Sequence, residues 1–449
     1  MKKHKVLAFL LATSLLTGCA GMGQAELLTP AGSTGQIAAD EDNAGTTSQS
    51  SDNDHVGAAL QGTETADVEP ACEEATLWGF SYRLLGENIN ETNPVLSPVS
   101  AYLAMGMVGL GAGGDTLAEF QAVMGADMHE VSDGLMQALP AQPGPLADGS
   151  GRESKLHISL ANSVWVDDEM EPLQSWLNDV SGIYGAKAYR ADLSTNGTKN
   201  QINDWIEEET QGLIKKFLTE PLDAETRLAL FNTIYFYGEW QYKFDATSTY
   251  KDTFTKEDGT ELQVDMMHEN QCSRTYVKQD DFDGVVLPYR DGNMAFVALK
   301  PTAGQTVREM YAGLTEETLT EILSVEDTTL INLKLPKFEV TFDKSLNETL
   351  QNMGIVKAFD DGAADFSGLG TTTSGKDLYI SLVRQKAVVK LDEEGTEAAA
   401  VTMVAMMESA MAESPTQPVN VYFDEPFLYM IVDTEEEVPL FMGIMDSPQ

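Results

Sequence analysis

Large apolar residues recur along most of this chain with two different periods. Alternation over residues 156–166 predicts a half-buried strand. Residues 228–237, 285–287, 294–299, 330–335, 338–342, 377–391, 419–423, 427–432 and 440–444 read as further strands, rich in β-branched and aromatic residues. Helical spacing appears at 70–85 and 102–108, and again at 201–217, where Ile202, Trp205, Ile206 and Leu213 share one side. A helix over 345–353 is ended by Gly354. Residues 93–98 read as a short strand running into a helix, with Ser97 as N-cap and Pro98 at the first helical position. The glycine-rich stretch 111–114 breaks that helix, and Asp115 or Thr116 is the expected cap of the next. Residues 137–154 read as a Pro/Gly-rich loop. No repeat or second linker interrupts the pattern, so 67–449 is expected to form one mixed α+β domain.

The first 66 residues follow neither period. Lys2, Lys3 and Lys5 precede an apolar run over 6–16 that is too short to span a bilayer, the pattern of an export signal. It ends in Leu16-Thr17-Gly18-Cys19, which resembles the bacterial lipobox. The resemblance implies removal of residues 1–18, lipidation of Cys19 and attachment to a membrane through that anchor, at a bacterial cell surface or envelope, with release from it as a further route. Residues 20–66 are Gly, Ala, Ser, Thr, Asp and Gln-rich and are expected to be a disordered tether. A coil of that length reaches roughly 40 Å on average.

Charge narrows the partners. The 449-residue chain carries 71 acidic and 28 basic residues, a formal net charge of −43. That balance excludes a nucleic-acid surface, which needs clustered Lys and Arg, and disfavours electrostatic binding to acidic lipids. The paucity of basic residues over 125–155 gives no purchase to a heparin-like activator, and a monomer is expected. Cys72 and Cys272, far apart in sequence, are read either as a disulfide or as free buried thiols.

Enzyme chemistry finds no support. The histidines are His4, His55, His129, His157 and His268. The first two lie in the signal and the tether, and His268-Glu269 lacks the second histidine of a zinc helix. There is no Gly-x-Ser-x-Gly elbow, and the glycines at 111–114 lack the Lys-Ser/Thr ending of a phosphate loop. Asp280 to Asp291 has acidic residues without the register of a calcium loop. No cofactor, metal or catalytic residue is expected.

The stretch 390–418 resists a simple reading. Its Ala, Met and Glu content suits a surface helix, yet its acidic start, small-residue middle and proline-bounded end also suit an exposed segment that changes conformation. The rest of the chain favours the second reading, because it resembles the serpin family along nearly the whole domain. The resemblance is carried in order by Asn93-Pro94-Val95-Leu96-Ser97-Pro98-Val99-Ser100, Gly111-Ala112 with Thr116, and Ile202-Asn203 with Trp205, Thr210, Gly212 and Ile214. Asn232, Tyr235, Phe236, Trp240 and Phe244 follow, then Leu287-Pro288-Tyr289, Leu335-Pro336-Lys337-Phe338, Ala364-Asp365-Phe366-Ser367, Pro426-Phe427 and Leu440-Phe441-Met442-Gly443. It implies a serpin fold: three β-sheets, about eight or nine helices, and an exposed reactive-centre loop. One departure is Gln385, where the family usually has histidine. Gln still donates and accepts hydrogen bonds but does not titrate.

Glu393 through Thr402 resembles the reactive-loop hinge of inhibitory serpins, with Glu394, Gly395, Thr396, Glu397, Ala398, Ala399, Ala400, Val401 and Thr402 as the hinge residues. The resemblance implies a suicide-type serine protease inhibitor. The protease cuts the loop, and the loop inserts into a sheet as a new strand. Side-chain alternation would then bury Thr396, Ala398, Ala400 and Thr402, all small and uncharged, and turn Glu397 to solvent. Counting from the hinge as the family does puts the reactive bond at Ser409–Ala410, with Met407, Glu408, Met411 and Ala412 as neighbouring alternatives. Lys390 is the last basic residue of the chain, so a trypsin-like protease has no target here; Ala405, Met406, Met407, Ala410 and Met411 suit an elastase- or subtilisin-like partner, and Glu408 would suit a glutamate-preferring one. The alternative is a non-inhibitory serpin acting as a binding or chaperone module.

Overall fold

The computed structural model describes residues 25–29, 75–145, 152–302, 304–396 and 417–448. Its frame is two large sheets, with elements numbered in chain order. The first sheet runs, in spatial order, β1 (Glu26–Leu28), β7 (Lys187–Arg190), β5 (His157–Val166), β8 (Leu228–Glu239), β17 (Gly395–Thr396), β16 (Arg384–Leu391) and β14 (Phe338–Ser345). The second runs β18 (Val419–Tyr422), β13 (Thr328–Pro336), β10 (Glu261–Lys278), β11 (Phe282–Pro288), β12 (Met294–Pro301), β19 (Phe427–Asp433), β20 (Val438–Met445) and β2 (Val95–Leu96), with β9 (Thr249–Thr255) beside β10. Two of the three expected sheets are continuous here. The 18-residue β10 pairs with β9 and β13 along most of its length and with β11 at its end. Short ribbons join β3 (Gly144–Pro145) to β4 (Glu153–Ser154) and β6 (Met170–Pro172) to β15 (Gly370–Thr372).

Nine α-helices surround the sheets among the described residues: α1 (Leu77–Gly86), α2 (Pro98–Gly109), α3 (Gly114–Met124), α4 (Met128–Ala138), α5 (Gln174–Tyr184), α6 (Asn196–Glu209), α7 (Val307–Ala312), α8 (Glu316–Leu323) and α9 (Asn347–Asn352). Helix α2 is buried at every residue but Ala104, as a helix apolar all round must be. Its start matches the sequence reading, since Ser97 Oγ accepts the Ser100 N–H at 3.3 Å and Pro98 follows it. Helix α6 lays Ile202, Trp205 and Ile206 against Trp165 of β5 and Phe231 of β8, so it lies across the first sheet.

Several boundaries depart from the periodicity. Helix α1 begins after Thr76, whose Oγ1 accepts the Gly79 N–H; residues 70–74 of the expected helix lie outside the described residues. Neither Asp115 nor Thr116 caps α3; Gly113 holds that position, and Thr116 Oγ1 accepts the Asp365 N–H instead. Helix α6 covers 196–209, earlier than expected. Gln211 and Gly212 adopt positive φ, and Asn203 Oδ1 accepts the N–H groups of Phe217 and Leu218, folding the following chain back. The strand expected over 377–391 begins only at Arg384, because its neighbour β14 ends at Ser345, directly opposite. Residues 26–28, inside the stretch read as tether, form an edge strand on β7, and the Ala25 N–H donates to Gln201 Oε1.

Candidate functional site: the seat of the hinge

β17 is two residues long and holds the centre of the first sheet. Gly395 faces Glu239 and Thr396 faces Gly238 on β8, while Thr396 faces Leu391 on β16. Both contacts are antiparallel. Below this seat no ladder joins β8 to β16 directly among the described residues. The two strands stand apart, and a cavity of about 740 Å³ opens between them. Leu230, Asn232 and Ile234 of β8 line it, with Gln385 and Ala387 of β16, and Ile206 of α6 passes over it. Beside Thr396 lies a separate void of about 10 Å³, lined by Ile234, Phe236, Val389 and Phe441 among others.

Two glycines make the seat. A Cβ on Gly395 would lie 2.0 Å from the Gly238 carbonyl oxygen. A Cβ on Gly238 would lie 2.8 Å from the Tyr289 ring. Glycine at 395 is therefore needed for close approach to the neighbouring backbone, a sharper reason than freedom at a pivot. Thr396 is 3% exposed, and its Oγ1 bonds to the hydroxyl of the fully buried Tyr289. Tyr289 stacks on Trp240, rings 4.7 Å apart at 10°. Trp240 in turn holds the approach to the hinge. Its backbone N–H donates to Glu394 O at 2.9 Å and its Nε1–H to Asp392 O at 2.8 Å.

Charges brace the same corner. Lys337 Nζ lies 2.7 Å from Glu393 Oε2. Lys243 bridges Glu394 at 2.5 Å and Glu239 at 3.3 Å, and Lys155 meets Glu239 at 2.7 Å. Burial opposes ionisation of Glu393 and Glu239, but their lysine partners outweigh it and hold both carboxyls below the usual value. For Lys243, burial is likewise outweighed by Glu394 and Glu239, and its pKa is raised.

Farther down, Gln385 grips the start of α2. Its Oε1 accepts the Ser97 N–H at 3.0 Å and its Nε2 donates to Ser97 O at 2.8 Å. Asn232 Nδ2 donates to Asn162 Oδ1 at 2.7 Å, whereas the buried Asn232 Oδ1 has no partner among the described residues.

Glu394, Gly395 and Thr396 are thus placed together at the top of the gap. The other hinge residues, Glu397, Ala398, Ala399, Ala400, Val401 and Thr402, lie outside the described residues. So do Ser409 and Ala410 with Met407, Glu408, Met411 and Ala412, and so do Cys19 and Cys72. Cys272 is a half-buried thiol whose pKa burial pushes up to about 12. Sequence reasoning missed the roles of Gly238, Tyr289, Lys155, Lys243 and Lys337. Tyr289 and Lys337 stood inside recognised motifs, but motif membership does not say which side chain meets the hinge.

Among the described residues the first sheet is parted in its middle, and Gly395 and Thr396 sit at one end of the opening. The comparisons put this architecture in a family of serine protease inhibitors. The family model Serpin (serine protease inhibitor) matches residues 77–448. Iripin-8 of Ixodes ricinus is 32% identical over 362 residues, covering 80% of this chain and 89% of its own. Alpha-1-antiproteinase F of Cavia porcellus is 30% identical over 376 residues, covering 82% and 88%. The native-state crystal structure of tengpin, a thermophilic serpin, superposes with a TM-score of 0.73 at 29% identity, over 87% of this chain and 96% of that one. The chain belongs to the serpin family and has the serpin fold. Its family and its relatives are those of serine protease inhibitors.

Proposed function

We propose that this chain is a suicide-type inhibitor that acts by inserting its cleaved loop between β8 and β16. The observation that carries the reading is the seat of Gly395–Thr396 at the head of a gap that no described residue fills. The pairing there defines a register that can be carried downward. Ala398 would face Phe236 and Val389, Ala400 would face Ile234 and Ala387, and Thr402 would face Asn232 and Gln385. Small residues thus meet apolar neighbours, and a hydroxyl meets the unpaired Asn232 oxygen. A buried acceptor left unpaired costs about 1–3 kcal/mol, so satisfying it favours the inserted state. A target serine protease attacks the loop at Ser409–Ala410 or a neighbouring bond and forms its acyl-enzyme. Insertion then outruns deacylation and carries the protease away with the loop.

The apolar and small residues Ala405, Met406, Met407, Ala410 and Met411 suit elastase- or subtilisin-like specificity pockets. We place the protein on a membrane through lipidated Cys19. Glu26 lies beside Arg190, at the end of the sheet away from the hinge. From Cys19 to Glu26 the chain reaches at most roughly 24 Å. An anchor there would hold the loop outward, closer to the membrane than a free coil of the whole tether allows.

The test is to mix the soluble domain with elastase- and subtilisin-type proteases and resolve the products on a denaturing gel. A complex that survives SDS supports inhibition. Clean loop cleavage without complex across the panel overturns it and favours a binding module. Sequencing the released C-terminal fragment fixes the bond.

A further inference from the structure

We propose that Tyr289 is a positioning residue that latches Thr396 in the uncut protein and thereby sets the register and start of insertion. The proposal deepens the inhibitory reading and rests on it for its functional arm. Among the described residues, Tyr289 Oη bonds only to Thr396 Oγ1, and Thr396 Oγ1 only to Tyr289. Both groups are buried, so neither can turn to water if the other leaves. The ring is held by parallel stacking on Trp240, by an edge contact to Phe236 at 4.9 Å, and by a backbone bridge to Trp240. The hydroxyl therefore stands at a fixed point in the sheet.

The consequence concerns parity. A slip of one residue in the incoming strand turns every side chain to the other face. With Thr396 facing inward on Tyr289, the even-numbered small residues follow it inward and Glu397 goes outward. A slip that seated Glu397 would bury a carboxylate against Tyr289. The latch also removes the slow first step, since a paired strand end is already in place when the loop is cut. Insertion can then extend by zippering while deacylation runs against it.

Three variants test this. Tyr289→Phe keeps the stacked ring and orphans the threonine hydroxyl. Thr396→Val keeps the shape and orphans the tyrosine hydroxyl. The double variant Tyr289→Phe with Thr396→Val has no orphan. A hydrogen-bond latch predicts that each single variant lowers the ratio of covalent complex to cleaved inhibitor by about tenfold, and that the double variant recovers most of the loss. A packing role predicts no loss for either near-isosteric change.

Hydrogen exchange provides a second readout that needs no protease. The Trp240 and Asp392 amides donate to Glu394 O and Gly395 O, so both report the seated hinge. Their exchange is expected to quicken about tenfold in each single variant and to slow again in the double. Unchanged exchange in Tyr289→Phe, or additive losses in the double, would overturn the latch. Failure of the wild type to form any covalent complex would overturn the inhibitory reading, and the exchange data would then decide the latch alone.

Discussion

Replacing Thr396 with arginine tests whether the buried hinge position governs inhibition. Thr396 is 3% exposed, and the void beside it is about 10 Å³, no more than a single water needs. A guanidinium there has no room. The carboxylates of this corner, Glu239, Glu393 and Glu394, are already paired with Lys155, Lys243 and Lys337. An uncompensated buried charge of this kind costs about 3–5 kcal/mol. At 1.4 kcal/mol per decade, that slows insertion by roughly two to three and a half orders of magnitude. Deacylation then wins, and the inhibitor becomes a substrate. The prediction is that Thr396→Arg is cut by the same protease at the same bond as wild type, with the SDS-resistant complex reduced at least about a hundredfold. A denaturing gel quantified against the cleaved band checks it. Complex in the wild-type proportion would show that trapping does not require position 396 to stay buried in the sheet.

Other consequences follow from the same geometry. Gly395→Ala puts a methyl 2.0 Å from the Gly238 oxygen and should unseat the hinge, costing about 1–3 kcal/mol through the backbone hydrogen bonds it breaks; faster exchange of the Trp240 amide is the measurement. Gln385→Ala leaves the buried Ser97 N–H unpaired, while the Ser97 carbonyl keeps the Ala101 N–H, and should lower stability by about 1–3 kcal/mol, read from the urea midpoint. The hinge should loosen in acid. Glu239 and Glu393 are held below the ordinary 4.5, so their contribution is present above that value and is lost as pH falls through the lower, seated value. Lys243 is held above 10.5, so its contribution is present below 10.5 and lost as pH rises through the higher value. Hinge protection measured by exchange should therefore be flat from about pH 5 to 10 and fall on the acid side; protection unchanged at about pH 3 would contradict the ion cluster. Trypsin-like proteases should give no complex, since no Lys or Arg follows Lys390.

Much of this protein was legible in its chain. Strand periods located β5, β8, β12, β13 and β19 within a few residues, because each buries at least one face in a continuous core. Ser97-Pro98 announced α2, because capping is a local interaction between neighbouring residues. The family could also be read, since it follows from residue identity and order. Boundaries failed where a distant partner decided them. Strand β16 starts late because β14 stops at Ser345, and α6 ends early because Asn203 captures the backbone of Phe217 and Leu218. The strand at 26–28 is invisible in a polar stretch because its hydrogen bonds belong to β7. Residue order determined that the small residues Gly395, Thr396, Ala398, Ala399 and Ala400 stand close together and that no Lys or Arg follows Lys390. Only the tertiary structure decided that Gly395 and Thr396 are already seated, that β8 and β16 part beneath them, and that Tyr289 and three lysines hold the seat. Those facts depend on through-space contacts between residues 56 to 158 positions apart, and no local pattern in the chain encodes such a distance.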